Sequence, residues 1–334
     1  MYLQVTSVLV AARYLYSEQR EGYRAEKWEF YPDDVSAVPV ILLIPDSATD
    51  KTPAPTVFCF PGAYHNKEFV SGEPLLEGGA CRAARFPERN DMGRWYAQNG
   101  MVAAVFDPLG IGELSHDLND PEYGYDGRTH LCYGMLEYGY NYVGYSVFQK
   151  LCFWNFLRTL PYVDENRLAV SGHSLGTEIA IYMAMVTDDV KAVVFNDFLA
   201  NWGTRYCNHT EWNDMKETLY RFTNFHTVPG AFGQYGFEDL CAALAPRPLA
   251  INEGGADEYV EDVRRAYALL GAEKNFQLTY YPEMSDPALR THPEPMPLYG
   301  VHFDEYLDLS YVVASQHSFR KAPSLAFLKK HFGT

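Results

Sequence analysis

A serine flanked by two glycines stands out in the stretch AVSGHSLGTEIA, residues 169–180. The pentapeptide GHSLG, residues 172–176, follows a run of strand-forming residues and precedes a helix-forming run. In so short a junction the central residue adopts a strained backbone conformation, and the glycines remove the Cβ atoms that would otherwise collide. Ser174 is therefore a candidate nucleophile. The main-chain N–H of Leu175, at the start of the helix, is a candidate donor to an oxyanion.

The pattern G-x-S-x-G also occurs by chance in loops, so the flanking elements decide what it means. Residues Arg167–Ser171 are typical of a strand and Ile179–Val186 of a buried helix. This context places Ser174 at the carboxyl end of a sheet, where open α/β folds bind ligands. A serine hydroxyl becomes nucleophilic when a base takes its proton, and the base must be oriented by a third group. An acid and a base are therefore expected elsewhere in the chain.

Short apolar runs without polar alternation predict strands that are buried on both faces of a sheet. They are Pro39–Pro45, Thr56–Gly62, Val102–Pro108, Arg167–Ser174, Lys191–Asp197, Pro248–Gly254 and Phe276–Pro282. Helical patterns lie between or after them, at Ser146–Leu160, Leu175–Thr187, Asp257–Gly271 and Phe319–Phe332. The alternation predicts an α/β fold with a mostly parallel, doubly wound sheet flanked by helices.

The chain shows neither a linker-like stretch nor an internal repeat, which predicts one domain over residues 1–334. Residues 1–30 form an N-terminal extension with a helical stretch around Val5–Arg20. Residues 113–145 and 283–316 interrupt the rhythm of strands and helices. We expect these two segments to be irregular, lid-like insertions that shape a site.

The chain resembles the α/β-hydrolase superfamily, in which the serine is followed along the chain by Asp or Glu and then by His. The resemblance runs from about Pro39 to the C-terminus and is closest to the dienelactone-hydrolase and acetylxylan-esterase branch. It is carried by NKE after an early strand, VDENRLAVSGHSLGTE around the serine, and LAPRPLAINEGGAD further on. Dienelactone hydrolases use a cysteine nucleophile, so Ser174 favours the esterase side.

The resemblance implies that the acid follows a strand beyond the nucleophile, which points to APRPLAINEGGADEYVEDV. Asp257 is the expected acid, although a carboxylate at a helix start is often only an N-cap. Glu253 is close enough to replace it. Asp197, which closes the strand KAVVFND, is another position where such folds can carry the acid.

The base is implied to lie between the last strand and the last helix. His317 in VVASQHSF has this position, and His302 in YGVHFDEYL is its competitor, with His292 in RTHPEP weaker. The second oxyanion donor is implied in the loop VFCFPGAYHNKE, as the N–H of Ala63 or Tyr64. Family members often have His-Gly where this chain has Pro-Gly, which leaves that donor open.

A further match to the superfamily is AAVFDPLGIGE, whose turn from Asp107 to Glu113 is expected to shape the site. Tyrosines within residues 123–145, together with Trp202 and Trp212, could form an aromatic wall over it, or could simply pack an irregular lid.

Together these features indicate a serine hydrolase that cleaves a carboxylic ester through an acyl-enzyme. The branch implies a short-acyl ester, such as an acetyl ester of a carbohydrate or small molecule, and requires neither a metal nor an organic cofactor. Two alternatives stay open. One is a serine peptidase of the prolyl-oligopeptidase type, although this chain lacks the long propeller of that family. The other is a catalytically inactive α/β-hydrolase fold used for binding.

The composition excludes some partners and suggests a compartment. The formal net charge is −16 with a pI of about 5.0, and Lys and Arg form no basic stripe. Nucleic acids and anionic membranes are therefore disfavoured as partners. Six scattered cysteines without a C-x-x-C pair suggest reduced thiols and a cytoplasmic location, although the processed form of an exported protein would look the same. The apolar run Val5–Ala12 lacks preceding basic residues and is too short to span a membrane.

Overall fold

The computed structural model describes residues 11–62, 65–73, 87–115, 125–197, 227–231, 233–290 and 307–334. The strands are β1 (Ala11–Arg20), β2 (Tyr23–Tyr31), β3 (Val38–Pro45), β4 (Ala54–Phe60), β5 (Val102–Phe106), β6 (Val163–His173), β7 (Val190–Asn196), β8 (Leu249–Ile251) and β9 (Phe276–Leu278). They form one sheet in the order β1-β2-β3-β5-β4-β6-β7-β8-β9.

The α-helices among the described residues are α1 (Lys67–Ser71), α2 (Pro87–Asn90), α3 (Met92–Gln98), α4 (Tyr125–Glu137), α5 (Tyr142–Leu157), α6 (Leu175–Val186), α7 (Phe237–Ala243), α8 (Asp257–Leu269) and α9 (Lys321–Phe332). Short 3₁₀ turns occur at Gly112–Leu114, Glu273–Asn275, Pro282–Met284, Pro287–Leu289 and Ala314–Gln316. None of these helices has the length and apolar composition needed to cross a bilayer.

The predicted doubly wound α/β sheet is confirmed. All neighbouring strands from β5 through β4, β6, β7 and β8 to β9 pair in parallel. Strand β2 pairs antiparallel with both β1 and β3, and β3 pairs antiparallel with β5. Helices α5, α6, α7 and α8 bury one face of the sheet, while α1, α3 and α9 bury the other. Parallel strands covered on both faces account for the continuous apolar runs in the sequence.

The helix expected around Val5–Arg20 is wrong from Ala11 onward, and residues 5–10 lie outside the described part. Residues Ala11–Arg20 form β1, which pairs along its length with β2. Most side chains of β1 are exposed, so no buried face imposes a two-residue hydrophobic period. The sequence interpretation also missed β2, YRAEKWEFY, because its charged residues hide the strand pattern.

Residues 113–145 are more regular than expected, since α4 and the start of α5 occupy the segment from Tyr125 onward. Residues 116–124 lie outside the described part, as do residues 291–306 of the second expected insertion. Trp202 and Trp212 of the suggested aromatic wall also lie outside it. Among the tyrosines of this segment whose side chains the structure describes, Tyr142 is buried, Tyr145 is half-buried, and Tyr133, Tyr138 and Tyr140 are exposed. The assignment of residues 1–334 to one domain stays a prediction.

Candidate active site

Ser174 is the single residue between β6 and α6. Its φ of 51° and ψ of −127° are strained for a residue other than glycine. Two main-chain hydrogen bonds hold this conformation: Ser174 N–H donates to the carbonyl of Asn196 (3.2 Å), and the carbonyl of Ser174 accepts from Thr177 N–H (2.9 Å). Ser174 is only half-buried, so the tight turn predicted from the sequence presents its serine at the surface of the site.

The two glycines of the turn are required by close approach of the backbone. A Cβ on Gly172 would lie 2.4 Å from the Cα of Thr177. A Cβ on Gly176 would lie 2.2 Å from the carbonyl oxygen of Phe60, at the end of β4. Both contacts are with backbone atoms, which cannot rotate away as a flexible side chain would. The glycines thus allow α6 to start directly against the ends of two parallel strands.

We expect Gly176→Ala to lower the free energy of unfolding by about 3 kcal/mol, because the added methyl group forces the backbone of α6 away from β4. Thermal unfolding followed by circular dichroism measures the effect. Gly134→Ala is the matched control, since a Cβ on this helical glycine meets nothing within 4 Å and alanine favours the helix. A melting temperature for Gly176→Ala equal to that of the wild type would contradict the packing described.

His317 directly follows the 3₁₀ turn Ala314–Gln316, and its Nδ1 lies 2.7 Å from Oε2 of Glu253. Glu253 is fully buried, two residues beyond β8. Because an ionised carboxylate only accepts hydrogen bonds, the proton in this contact belongs to Nδ1 of His317. Nε2 is then the basic nitrogen of the neutral ring.

Two further donors hold the carboxylate of Glu253. Its Oε1 accepts from the hydroxyl of Tyr281 (2.5 Å) and from Ser318 N–H (3.1 Å). Burial and the neighbouring carboxylate raise the pKa of Tyr281 above its ordinary value, so this hydroxyl stays protonated and donates. The orientation of Glu253, and with it that of the His317 ring, is therefore determined by several bonds at once.

The segment after His317 is attached to the carboxyl ends of β7 and β8. The side chain of Asn196 donates to the carbonyl of Ser318 (3.0 Å) and accepts from Arg320 N–H (2.7 Å). The guanidinium of Arg320 donates to the carbonyl of Asn252 (3.1 Å) and lies 4.3 Å from the ring centroid of Tyr281. The last loop is thus bound to the same sheet edge that carries Ser174.

The structure does not bring Asp257, the acid expected from the sequence, to His317, and no hydrogen bond joins the two. Asp257 is the first residue of α8, and its carboxylate accepts from the hydroxyl of Tyr280 (3.0 Å) and from Nε of Arg290 (3.2 Å). Gly254 and Gly255, with φ of 93° and 136°, turn the chain between Glu253 and Asp257. The carboxylate that contacts His317 is therefore that of Glu253, the substitute named from the sequence.

Of the remaining candidates from the sequence, the structure describes Leu175 and Asp197. Leu175 is the first residue of α6, so its N–H lies at a helix N-terminus as expected. Asp197 is buried directly after β7. Four other candidates lie outside the described residues; they are Ala63, Tyr64, His292 and His302.

The turn that begins at Asp107 is held by a buried ion pair. Asp107 accepts from the main-chain N–H groups of Lys67 (2.8 Å) and Glu113 (3.0 Å), and from Nζ of Lys67 (2.8 Å). Although burial disfavours the charge, the carboxylates of Asp107, Glu68 and Glu113 raise the pKa of Lys67. These bonds join the DPLGIGE turn to α1, directly after the candidate oxyanion loop, and so support its expected role in shaping the site.

Sequence reasoning missed two buried imidazoles beside His317. The ring of His173 lies 4.8 Å from that of His317, and the ring of His65 lies parallel to His173 at 5.6 Å between centroids. Burial lowers the pKa of His65 to about 3 and lowers that of His173 well below its ordinary value. Both are therefore neutral at neutral pH. In the sequence both were marked by position, since His173 directly precedes Ser174 and His65 lies in the candidate oxyanion loop.

These two histidines predict a loss of stability in acid. The unfolded chain takes up protons below pH 6.5 that folded His65 and His173 do not bind, so their contribution is present above that pH and is lost as the pH falls toward 3. Each histidine can lower the free energy of unfolding by up to about 1.4 kcal/mol per pH unit. The nearby imidazole of His317 lowers the pKa of both histidines further, because like charges on neighbouring rings repel.

Urea unfolding of the wild type and of His65→Phe between pH 7 and pH 4.5 measures this effect. We expect a shallower decline for the variant, because phenylalanine takes up no proton in the unfolded chain. His130→Gln, at an exposed position of α4, is the control and should follow the wild type. If the free energy of unfolding falls with pH equally steeply in His65→Phe and the wild type, the imidazole of His65 also takes up its proton in the folded chain.

The family model described as the abhydrolase family matches residues 4–330. The chain belongs to the abhydrolase family. The resemblance to the α/β-hydrolase superfamily found in the sequence is thereby confirmed. A search of curated protein sequences finds no match.

Solved structures share the abhydrolase architecture. A candidate acetyl xylan esterase from Bacteroides fragilis is 30% identical, with a TM-score of 0.85 over 98% of this chain and 84% of that one. A glucuronoyl esterase from Solibacter usitatus is 12% identical, with a TM-score of 0.55 over 93% and 87%. A promiscuous CE15 esterase from a marine bacterial metagenome is 14% identical, with a TM-score of 0.57 over 99% and 88%. At such low identity the last two show the fold alone.

Proposed function

We propose that this chain is a serine carboxylic-ester hydrolase in which Ser174 is the nucleophile, His317 the base and Glu253 the acid. One observation carries the proposal: Nδ1 of His317 contacts the buried carboxylate of Glu253 at 2.7 Å, on the sheet edge that presents Ser174 in a strained turn. A histidine oriented in this way keeps a basic Nε2, which is what activation of a serine hydroxyl requires.

In the proposed reaction, Nε2 of His317 takes the proton of Ser174 as Oγ attacks the carbonyl carbon of the ester. The N–H of Leu175 and that of Ala63 or Tyr64 bind the oxyanion of the tetrahedral intermediate. His317 then protonates the leaving alcohol, and a water molecule activated by the same nitrogen hydrolyses the acyl-enzyme. Proton transfer by the base contributes about 10²–10⁴-fold and each oxyanion donor about 10²–10³-fold.

Glu253 stabilises the imidazolium that forms at His317 and keeps the ring oriented. Its other oxygen is bound by Tyr281 and Ser318, so a change at either neighbour would move the carboxylate. The buried neutral rings of His65 and His173 add no positive charge beside the forming imidazolium. These contacts support a positioning and electrostatic role for Glu253 in the proposed reaction.

We propose acetylated carbohydrates as the substrates. The support is the similarity to the candidate acetyl xylan esterase from Bacteroides fragilis, which extends over 98% of this chain. The carboxylate-rich chain, with its net charge of −16, gives no reason to expect an anionic polymer such as nucleic acid as a partner.

Hydrolysis of p-nitrophenyl acetate, butyrate and octanoate, followed by acetate release from acetylated xylan, tests the proposal. A short-acyl esterase cleaves the acetate fastest and releases acetate from the polymer. A fluorophosphonate probe that labels Ser174 without any ester turnover would instead favour a peptidase. If the probe does not label Ser174 and no ester is cleaved, the fold is inactive and used for binding, and the proposal is refuted.

A further inference from the structure

His173, Glu253 and His317 form a group whose metal-binding atoms all lie within 4.8 Å of one another. Two imidazoles and one carboxylate are the ligand types that Zn²⁺ prefers at protein sites with an open fourth position. In the proposed reaction His317 and Glu253 work as a pair, and His173 has no part in it. The third member of the group therefore needs an explanation of its own.

The imidazole of His173 is only 4% exposed, yet neither of its ring nitrogens has a hydrogen-bond partner among the described residues. Leaving a buried polar group without a partner costs about 1–3 kcal/mol, so such groups are rare unless a ligand completes them. Nδ1 of His65 is in the same condition, in a ring that is 8% exposed. The unpartnered nitrogens of these neighbouring rings are suited to a polar or charged ligand.

Gly62 leaves open the space that these nitrogens face. A Cβ at this position would lie 3.1 Å from Nδ1 of His173 and 3.4 Å from Nδ1 of His65. Any side chain at residue 62 would crowd both rings and fill the space beside them. The glycine therefore leaves room beside Nδ1 of His173 that a Cβ would occupy.

The geometry permits a metal ion after a small adjustment. With bonds of about 2.0–2.1 Å, the ligand atoms of a tetrahedral Zn²⁺ site lie roughly 3.3 Å apart. Oε2 of Glu253 and Nδ1 of His317 are already closer than this, at 2.7 Å. An ion that binds both must separate them slightly and draw in His173. His317 lies in a loop after a 3₁₀ turn, where a small shift is less costly than in a strand.

We propose that His173, Glu253 and His317 bind one Zn²⁺ ion and that its binding switches the ester hydrolase off. The binding itself stands independently, whereas the inhibition rests on the proposed function. Zn²⁺ on Nδ1 of His317 takes the lone pair there, so the ring proton of the neutral imidazole moves to Nε2. A protonated Nε2 cannot take the proton of Ser174, and Glu253 is held by the ion. Removal of the ion by a chelator restores the original tautomer.

Calorimetric titration of the full chain, first treated with EDTA, with ZnCl₂ tests the site directly. We expect one ion per chain with micromolar affinity in the wild type, and at least a tenfold loss of affinity in His173→Gln. Two controls should bind as the wild type does: His130→Gln makes the same change at an exposed position, and Ser174→Ala leaves all three ligands in place. Absence of binding to the wild type, or equal binding by His173→Gln, would overturn the proposal.

Co²⁺ gives a second measurement that does not depend on the folding of a variant. We expect the wild type to develop the visible absorption of a tetrahedral Co²⁺ complex, which Zn²⁺ then displaces. The spectrum of an octahedral hydrated ion would overturn the site.

Assays of p-nitrophenyl acetate hydrolysis across the same ZnCl₂ range separate the two proposals. Inhibition that follows the binding curve and is reversed by EDTA supports both. Binding by a chain that hydrolyses no ester in the absence of metal supports the site and refutes the proposed function. Robust hydrolysis that saturating Zn²⁺ does not change refutes the inhibition.

Discussion

Replacement of Ser174 by alanine is expected to lower kcat/KM for p-nitrophenyl acetate by about 10⁴–10⁶-fold, the largest effect of any single change in the chain. The loss follows because no other hydroxyl occupies the strained junction between β6 and α6, and without the nucleophile no acyl-enzyme forms. The backbone at residue 174 keeps its hydrogen bonds to Asn196 and Thr177, so the fold should survive.

Alanine keeps the Cβ of serine, so the strained φ of 51° is unchanged and the substitution removes only the hydroxyl. Ser285→Ala is the matched control: it removes one hydroxyl from an exposed turn and should leave kcat/KM unchanged. Measurement requires steady-state kinetics together with labelling by a fluorophosphonate. If Ser174→Ala retains activity within about tenfold of the wild type, another group carries the reaction and the proposed mechanism fails.

Glu253→Gln is expected to lower kcat by about 10⁴-fold, the loss seen when the acid of such a triad becomes an amide. The amide NH₂ can donate toward Nδ1 of His317, which stabilises the tautomer whose Nε2 carries the proton. That tautomer cannot act as the base. KM should change much less than kcat, because Glu253 is fully buried and does not reach the substrate.

Asp257→Asn makes the same chemical change four positions further on and is the direct comparison. Its carboxylate is half-exposed and binds Arg290 and Tyr280, so the substitution should cost at most about 1 kcal/mol of stability and leave kcat intact. Thermal unfolding of both variants separates lost catalysis from lost fold. A large loss of kcat in Asp257→Asn with normal kinetics in Glu253→Gln would reverse the assignment of the acid.

Features set by near neighbours in the chain could be predicted from the sequence. The turn at Ser174 is one: Gly172 and Gly176 lie two residues on either side of it, and a Cβ on Gly172 would collide with Thr177, a near neighbour in the chain. The buried parallel strands are another, because burial on both faces leaves a continuous apolar run. The same reasoning failed for β1, whose side chains are mostly exposed, and for β2, whose charged residues conceal the strand period.

The sequence by itself determined the serine turn, the parallel sheet and the superfamily. Only the tertiary structure decided which carboxylate meets His317. Glu253 and Asp257 both follow the same strand, and both satisfied every local criterion for an acid. The choice depends on how the Gly254-Gly255 turn directs α8 away while a loop 64 residues later in the chain packs over Glu253. The convergence of His65 and His173 has the same origin, because contacts between distant segments arise from packing and leave no periodic signal in the sequence.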